Sequence, residues 1–381
     1  MKMSSYLVLV CLLVGLRSIA QQTETSKANQ QPELTQTPAG VAALEFSKPK
    51  AVSDLVSQPI IVGRFDCSDD GSIITLIDGY ALSSGTTPAA RIALLAIHPD
   101  GTVTNFPWRS VPGFDSISLP KSVFVGNGHV YVLVQGATHS QLQEKKPPHS
   151  LVLTFNGDGS LAGKTILEQD LEPLVLGVFP SGNFLLLSED RLNHRVAANL
   201  VSPDGMALRD LRMEDSDFVA TAARMPAGAR SPSAYSESLL IAMSKFYLSG
   251  NNLLLVPLAT FGLPIIELDE HGVVRSVLAN LPDKTVLDAF VSASTSSWKV
   301  LLGKVVENDT EALHSQGKLL GVSTQPSQRI AEFSRADGKL IREIEIGGQG
   351  IAPACESNGN FRFLTSSIGQ GRLQFVTAHI R

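Results

Sequence analysis

Apolar runs of five to eight residues, rich in Val, Ile, Leu and Phe, recur along most of the chain and are cut by short polar turns carrying Gly after Asp, Asn or Ser. Few stretches have the 3.6-residue period of a helix, and none of those is long. Short apolar runs separated by tight Gly-bearing turns predict many antiparallel strands joined by hairpins. The turns alternate between two kinds. The first precedes an apolar run: SDDGSIITLID (68–78), VGNGHVYVLVQ (125–135), PSGNFLLLSE (180–189), LSGNNLLLVPL (248–258) and ESNGNFRFLTS (356–366). The second follows one: LLAIHPDGTVTNF (94–106), LVLTFNGDGSLAGKTI (151–166), ANLVSPDGMALRDL (198–211), PIIELDEHGVVRSVL (264–278) and IAEFSRADGKLIREIEI (330–346). SASTSSWKVLLGK (292–304) is a version of the first kind without its glycine.

One turn of each kind, with its flanking runs, makes a four-stranded unit. This pattern gives five complete units and a sixth ending after its third strand, at RLQFVTAHI. The missing strand is assigned to VAALEFS (41–47), which has strand character and no partner nearby. A four-stranded unit cannot bury both its faces alone, so stacked repeats of this size predict a ring. On the turn motifs GNGHVYVLV, PSGNFLLL, SPDGM and RADGK, residues 41–381 resemble the secreted six-bladed β-propellers of the broad TolB-like and NHL-like kind. The resemblance implies an all-β ring of six four-stranded blades, closed by the N-terminal strand completing the last blade. It brings no active-site residue with it.

The N-terminus changes the expected compartment. Lys2 precedes an eleven-residue apolar run, Tyr6–Leu16, and Ser18 and Ala20 place small side chains before Gln21. This reads as a signal peptide over 1–20; a helix of eleven residues spans only about half of a bilayer core. Residues 21–40 are polar and read as a disordered leader. The expected location is secreted or periplasmic, with no membrane span. Hydrophobic residues are 43% and charged residues 18%, as in a folded protein, and the net charge of −5 becomes −7 once Lys2 and Arg17 are removed. An acidic chain without a basic cluster argues against nucleic acid as partner.

Candidate chemistry is sparse. In such a ring the tight turns share one face and the longer connections the other, where binding usually resides. His139 and His149 (136–150), Glu189 and His194 (189–195) and His314 (308–316) fall in those connections. Histidine and carboxylate are metal-ligand types, but no fixed spacing joins them, and exposed loops collect the same residues. Asp78, Gln135 and Glu189 each follow a first-kind turn glycine by seven residues and so end equivalent strands; Pro257 and Ser366 break that series. Asp69, Asp70, Asp100, Asp204 and Asp337 read as turn formers. The insertions 213–242 and 306–327 have no assigned role. Cys67 and Cys355 each stand four residues before a turn glycine, where other units have Phe or Val. They are either small core residues or, since ring closure makes the first and last units neighbours, a disulfide across the seam.

No nucleophile elbow, zinc-protease helix or phosphate loop is present in the sequence. It therefore reads as a monomeric, non-catalytic binding or scaffold protein that uses its loop-bearing face for a protein, peptide or polymer partner and needs no cofactor. The alternative is a lactonase-like metal-dependent hydrolase or lyase with a divalent cation such as calcium at the axial opening, held by Asp78, Gln135, Glu189 and His194. An envelope-assembly role is a third possibility.

Overall fold

The computed structural model describes residues 41–53, 55–80, 92–168, 172–190, 195–211, 244–257, 264–278, 285–304, 329–346, 351–352, 355–357, 359–366 and 373–381. The expected signal peptide, leader and both insertions lie outside the described residues, as do His194 and His314.

The fold is all-β with a propeller-like arrangement of meandering sheets. Two N-terminal strands, β1 (Val41–Phe46) and β2 (Lys50–Ala51), precede the first sheet: β3 (Leu55–Cys67), β4 (Ile73–Tyr80), β5 (Ile92–Ile97) and β6 (Val103–Phe106). The second sheet holds β7 (Ser116–Ile117), β8 (Ser122–Gly126), β9 (His129–Ala137), β10 (His149–Asn156) and β11 (Leu161–Ile166), with helix α1 (His139–Glu144) between β9 and β10. The third runs β12 (Pro173–Val178), β13 (Phe184–Asp190), β14 (Arg195–Val201), β15 (Ala207–Leu211), and the fourth β16 (Ser244–Ser249), β17 (Asn252–Pro257), β18 (Pro264–Asp269), β19 (Gly272–Leu278). The last sheet takes β20 (Thr285–Ala293), β21 (Ser297–Lys304), β22 (Arg329–Ser334) and β23 (Leu340–Glu345), then β24 (Ile351–Ala352), β25 (Glu356–Ser357), β26 (Asn360–Ser366) and β27 (Leu373–Ile380).

Six separate four-stranded blades are not what the hydrogen bonds draw. Three sheets have four strands, the second has five, and the last is one ten-stranded sheet. β1 is the reason. Val41–Ala43 run parallel to Glu343–Glu345 of β23, and Leu44–Phe46 run antiparallel to Ala378–Ile380 of β27. The N-terminal strand thus pairs with the chain's last strand and at the same time bonds to the unit before it. Past β1 the chain crosses the seam: the Val52 and Ser53 amides donate to the carbonyls of Leu373 and Gly101.

Packing follows the same circuit. Inner strands such as β5 (IALLAI) are buried on both faces and read as unbroken apolar runs, whereas outer β11 alternates half-buried and exposed. One core joins the first and second sheets through Leu94, Phe106, Val132 and Phe155. A second joins the second, third and fourth through Phe124, Leu185, Phe246 and Leu253. A third joins the fourth to β20–β22 through Leu254, Trp298 and Phe333. Within the ten-stranded sheet, Leu301 and Ile330 meet Phe361 and Val376. Finally Leu364 and Phe375 meet Ile73 and Leu95, which returns to the first sheet. The circle is closed covalently as well: Cys67 is disulfide-bonded to Cys355, 288 residues away, with Cα atoms 5.9 Å apart.

The turn acids act on their own turns. Asp70, Asp100 and Asp337 accept the amides of Ser72, Thr102 and Lys339, and Asp204 accepts the Ser202 hydroxyl. Gly205 shows why glycine follows: its φ is +94°, and a Cβ there would lie 2.1 Å from the Ile166 carbonyl oxygen.

Candidate functional site: the axial cavity

The first strands of successive sheets face one another, with β3 against β8, β8 against β12 and β16, and β12 against β16. Tight turns bring the chain back without filling the space between them. A cavity of about 640 Å³ remains there, open on the hairpin-turn face and walled by the C-terminal ends of β3, β8, β16 and β20, by the turns after the first three, and by β25.

One of its buried polar groups is Asp66, at the end of β3. The Lys245 ammonium, from β16, lies 3.1 Å from Asp66 Oδ1, and both side chains are over 90% buried. The first and fourth sheets are not neighbours on the circuit, so this ion pair reaches across the ring interior. The Val125 amide of β8 donates to Asp66 Oδ2 at 2.8 Å, and the Cys67 amide to Oδ1 at 2.9 Å. Asp66 therefore binds three sheets together. Burial pushes its carboxyl above the usual range; Lys245 and the two amides offset this only in part. Lys245 also lies 4.8 Å from the centre of the Tyr247 ring, which lines the cavity.

A second carboxylate, Glu356, stands beside Cys355. It accepts from Lys299 Nζ at 2.7 Å and from the Ser292 hydroxyl at 2.5 Å. Cys67 and Cys355 themselves line the wall, so the disulfide lies between two ion-paired carboxylates, each one residue away. Nearer the rim, Asp70 is held by the Ser68 hydroxyl, the Ser72 amide at 2.8 Å and the Ser72 hydroxyl at 2.9 Å. Burial alone would raise its carboxyl, but these bonds outweigh it and hold the group below the ordinary value.

Ser72 Oγ is also 2.7 Å from His98 Nδ1. Serine, histidine and aspartate so close suggest a nucleophile, but the wiring differs. The second imidazole nitrogen meets Thr104 Oγ1 at 2.8 Å, the carboxylate takes the serine hydroxyl itself, and Ser72 is 1% exposed. A catalytic triad needs the base free to take that proton and the acid on its far nitrogen. Here the cluster ties the two turns of the first sheet together.

The residues expected from the sequence lie elsewhere. Ile74 and Val130 line the cavity, whereas Asp78 and Gln135 follow four and five residues further along the same strands. At strand rise that is roughly 13–17 Å away, at the other end of the sheets. The Gln135 amide donates to Ser118 Oγ. His139 opens α1, exposed, with Nε2 2.8 Å from Gln143 Nε2. The His149 ring meets Phe114 edge-on at 6.5 Å. The Glu189 backbone pairs with Val196; its side chain, like His194 and His314, lies outside the described residues. Among the described residues no three His, Cys, Asp or Glu are placed to hold a metal ion, and no helix is long and apolar enough to cross a membrane.

Asp66 and Lys245 were missed because their roles are tertiary. The one available signal is charge within the mostly apolar first-strand runs IIVGRFDC, which holds Arg64 and Asp66, and MSKFYLS, which holds Lys245.

No family model and no curated protein matches this chain. Among solved structures, it is similar to a protein of unknown function from Dyadobacter fermentans, at 9% identity and TM-score 0.46 over 89% of this chain and 100% of that one. A catalytically inactive virginiamycin B lyase from Staphylococcus aureus with quinupristin is 10% identical at TM-score 0.41, over 89% and 100% of the two chains. A gluconolactonase from Xanthomonas campestris is 10% identical at TM-score 0.35, over 91% and 99%. At this level of likeness, what each protein binds or converts belongs to that protein alone.

Proposed function

We propose that this protein is a secreted, non-catalytic binding module that captures a protein or peptide segment in the axial cavity of a six-bladed ring. The ten-stranded sheet counts as two blades in this reading, because a separate core, around Leu301, Ile330, Phe361 and Val376, fills the space between its halves. The signal-peptide pattern over 1–20 and the Cys67–Cys355 disulfide both favour an oxidising compartment.

The cavity carries the proposal. It has the volume of a ligand site, and its polar groups come from strand ends and the turns beside them, held by the circuit of cores. Asp66, Asp70 and Glu356 are each held by two or more partners, so the wall is organised before anything enters.

The test is a random heptapeptide library screened by ligand-observed NMR. Ser357→Trp fills the cavity from β25; His139→Ala changes the opposite end. Hits are expected to weaken at least tenfold in the first variant and to persist in the second. Hits that survive Ser357→Trp, or that vanish with His139→Ala, refute the reading.

A further inference from the structure

The Cys67–Cys355 bond is placed for more than closing the ring. Cys67 is part-exposed in the cavity wall, whereas Cys355 is only 3% exposed, packed among Ile73, Leu95, Leu364 and Phe375. Of the two cysteines in the wall Cys67 is the more exposed, which favours its sulfur as the point of attack for a thiolate entering the cavity. The neighbours of the two cysteines carry the cavity's ion pairs: Asp66 with Lys245, and Glu356 with Lys299 and Ser292. The Cys67 amide is itself a donor to Asp66, and the Cys355 carbonyl accepts from the Arg362 amide. Other links across this seam are the apolar core between the sheets, the strap at Val52 and Ser53, and the Arg362 side chain of β26, which lies against Gly71 and interacts with Asp70. The disulfide is thus the covalent tie that fixes the distance between the two carboxylate-bearing wall segments.

We propose that the Cys67–Cys355 disulfide is a redox switch on the axial cavity, opened by a dithiol reductant acting from the cavity side. The attacking thiolate forms a mixed disulfide with Cys67 and expels Cys355 as a thiolate, which takes up a proton. The reductant's second thiol then attacks the mixed disulfide. Both cysteines end as thiols, and the reductant as its own disulfide. Without the tie, the Asp66 and Glu356 segments move independently while the apolar cores keep the ring folded. Reshaping of the cavity stands without reference to any ligand; gating of binding rests on the function proposed above.

The experiment uses the full folded chain with dithiothreitol as probe. Thiol alkylation with intact-mass analysis follows reduction, circular dichroism follows the fold, and amide hydrogen exchange follows the wall. Both cysteines are expected to become alkylatable with the circular dichroism spectrum retained. Exchange is expected to speed up at least tenfold at residues 66–72 and 355–357 and to stay unchanged in β13–β15. Cys67→Ala/Cys355→Ala should reproduce that pattern without reductant and ignore dithiothreitol. The switch is overturned if the thiols are free beforehand, if reduction occurs only with global unfolding, or if the reduced wall exchanges as the oxidised one does. Peptide hits that bind the oxidised and reduced forms equally, with exchange altered, overturn gating alone. An absence of any hit in either form, with exchange altered, leaves the switch standing and removes the peptide-binding function.

Discussion

The ion pair across the ring allows a quantitative test. Lys245→Met removes the ammonium and leaves the Asp66 carboxylate buried with only two amide donors. Breaking a buried pair from one side costs about 3–5 kcal/mol, because the remaining charge stays desolvated. Over the roughly 240 described residues, an unfolding entropy of about 2.1 cal/mol/K per residue converts this to a fall in Tm of roughly 6–10 °C. The sign with pH is fixed by Asp66. Its carboxyl titrates above the usual range, so folding favours its protonated form, and the stability this contributes is present at low pH and lost as pH rises through the folded-state value. Without Lys245 that dependence steepens, and the deficit of Lys245→Met should shrink between pH 7 and pH 5. In Asp66→Asn/Lys245→Met no charge remains, and the asparagine carbonyl still accepts an amide. The double variant should fall within about 1.5 kcal/mol of the parent, as replaced buried pairs often do. Urea unfolding of parent, both single variants and the double at pH 7 and pH 5 supplies the cycle. A coupling energy below about 0.5 kcal/mol, or a pH-independent deficit, refutes the claim that the pair pins the sheets across the axis.

Two further outcomes follow from local geometry. Gly205→Ala combines φ of +94° with a Cβ 2.1 Å from a backbone oxygen, whereas Gly128→Ala has φ of +75° and open space; by calorimetry the first should cost about 2–4 kcal/mol and the second about 1 kcal/mol, and equal costs would deny the close approach of β11 to the 202–206 turn. Burial raises the Glu267 carboxyl, but Asn252, Arg335 and Arg275 outweigh it and hold the group below its ordinary value. Its stabilisation is therefore full above the unfolded-state value and lost as pH falls through the folded-state one. Glu267→Gln should differ from the parent in urea unfolding at pH 7, and the gap should narrow as pH is lowered below the unfolded-state value and through the folded-state one; a gap that stays constant down to full titration of the carboxyl would mean its charge is not what matters.

Strand identity, turn placement and the order of the sheets were legible in the chain because they depend on local rules. Apolar runs such as IALLAI become inner strands, and Asp-Gly turns such as SPDGM reverse the chain at glycines with positive φ. The pairing of residues 41–46 with the last strand was legible too, since the last unit lacked a strand and one spare apolar run existed. Hydrophobic period and turn chemistry act within a few residues, and one sequence displays them directly. Tertiary structure alone decided that β1 would also bond β23 and fuse two units into one sheet, because that bond uses backbone groups any sequence carries. It alone placed the cavity on the hairpin-turn face, which follows from how far apart rigid sheets stand around the axis. Asp66 and Lys245 are 179 residues apart in the numbering, and nothing local marks either as the other's partner. Their meeting depends on the closed ring, whose geometry is the sum of all its cores.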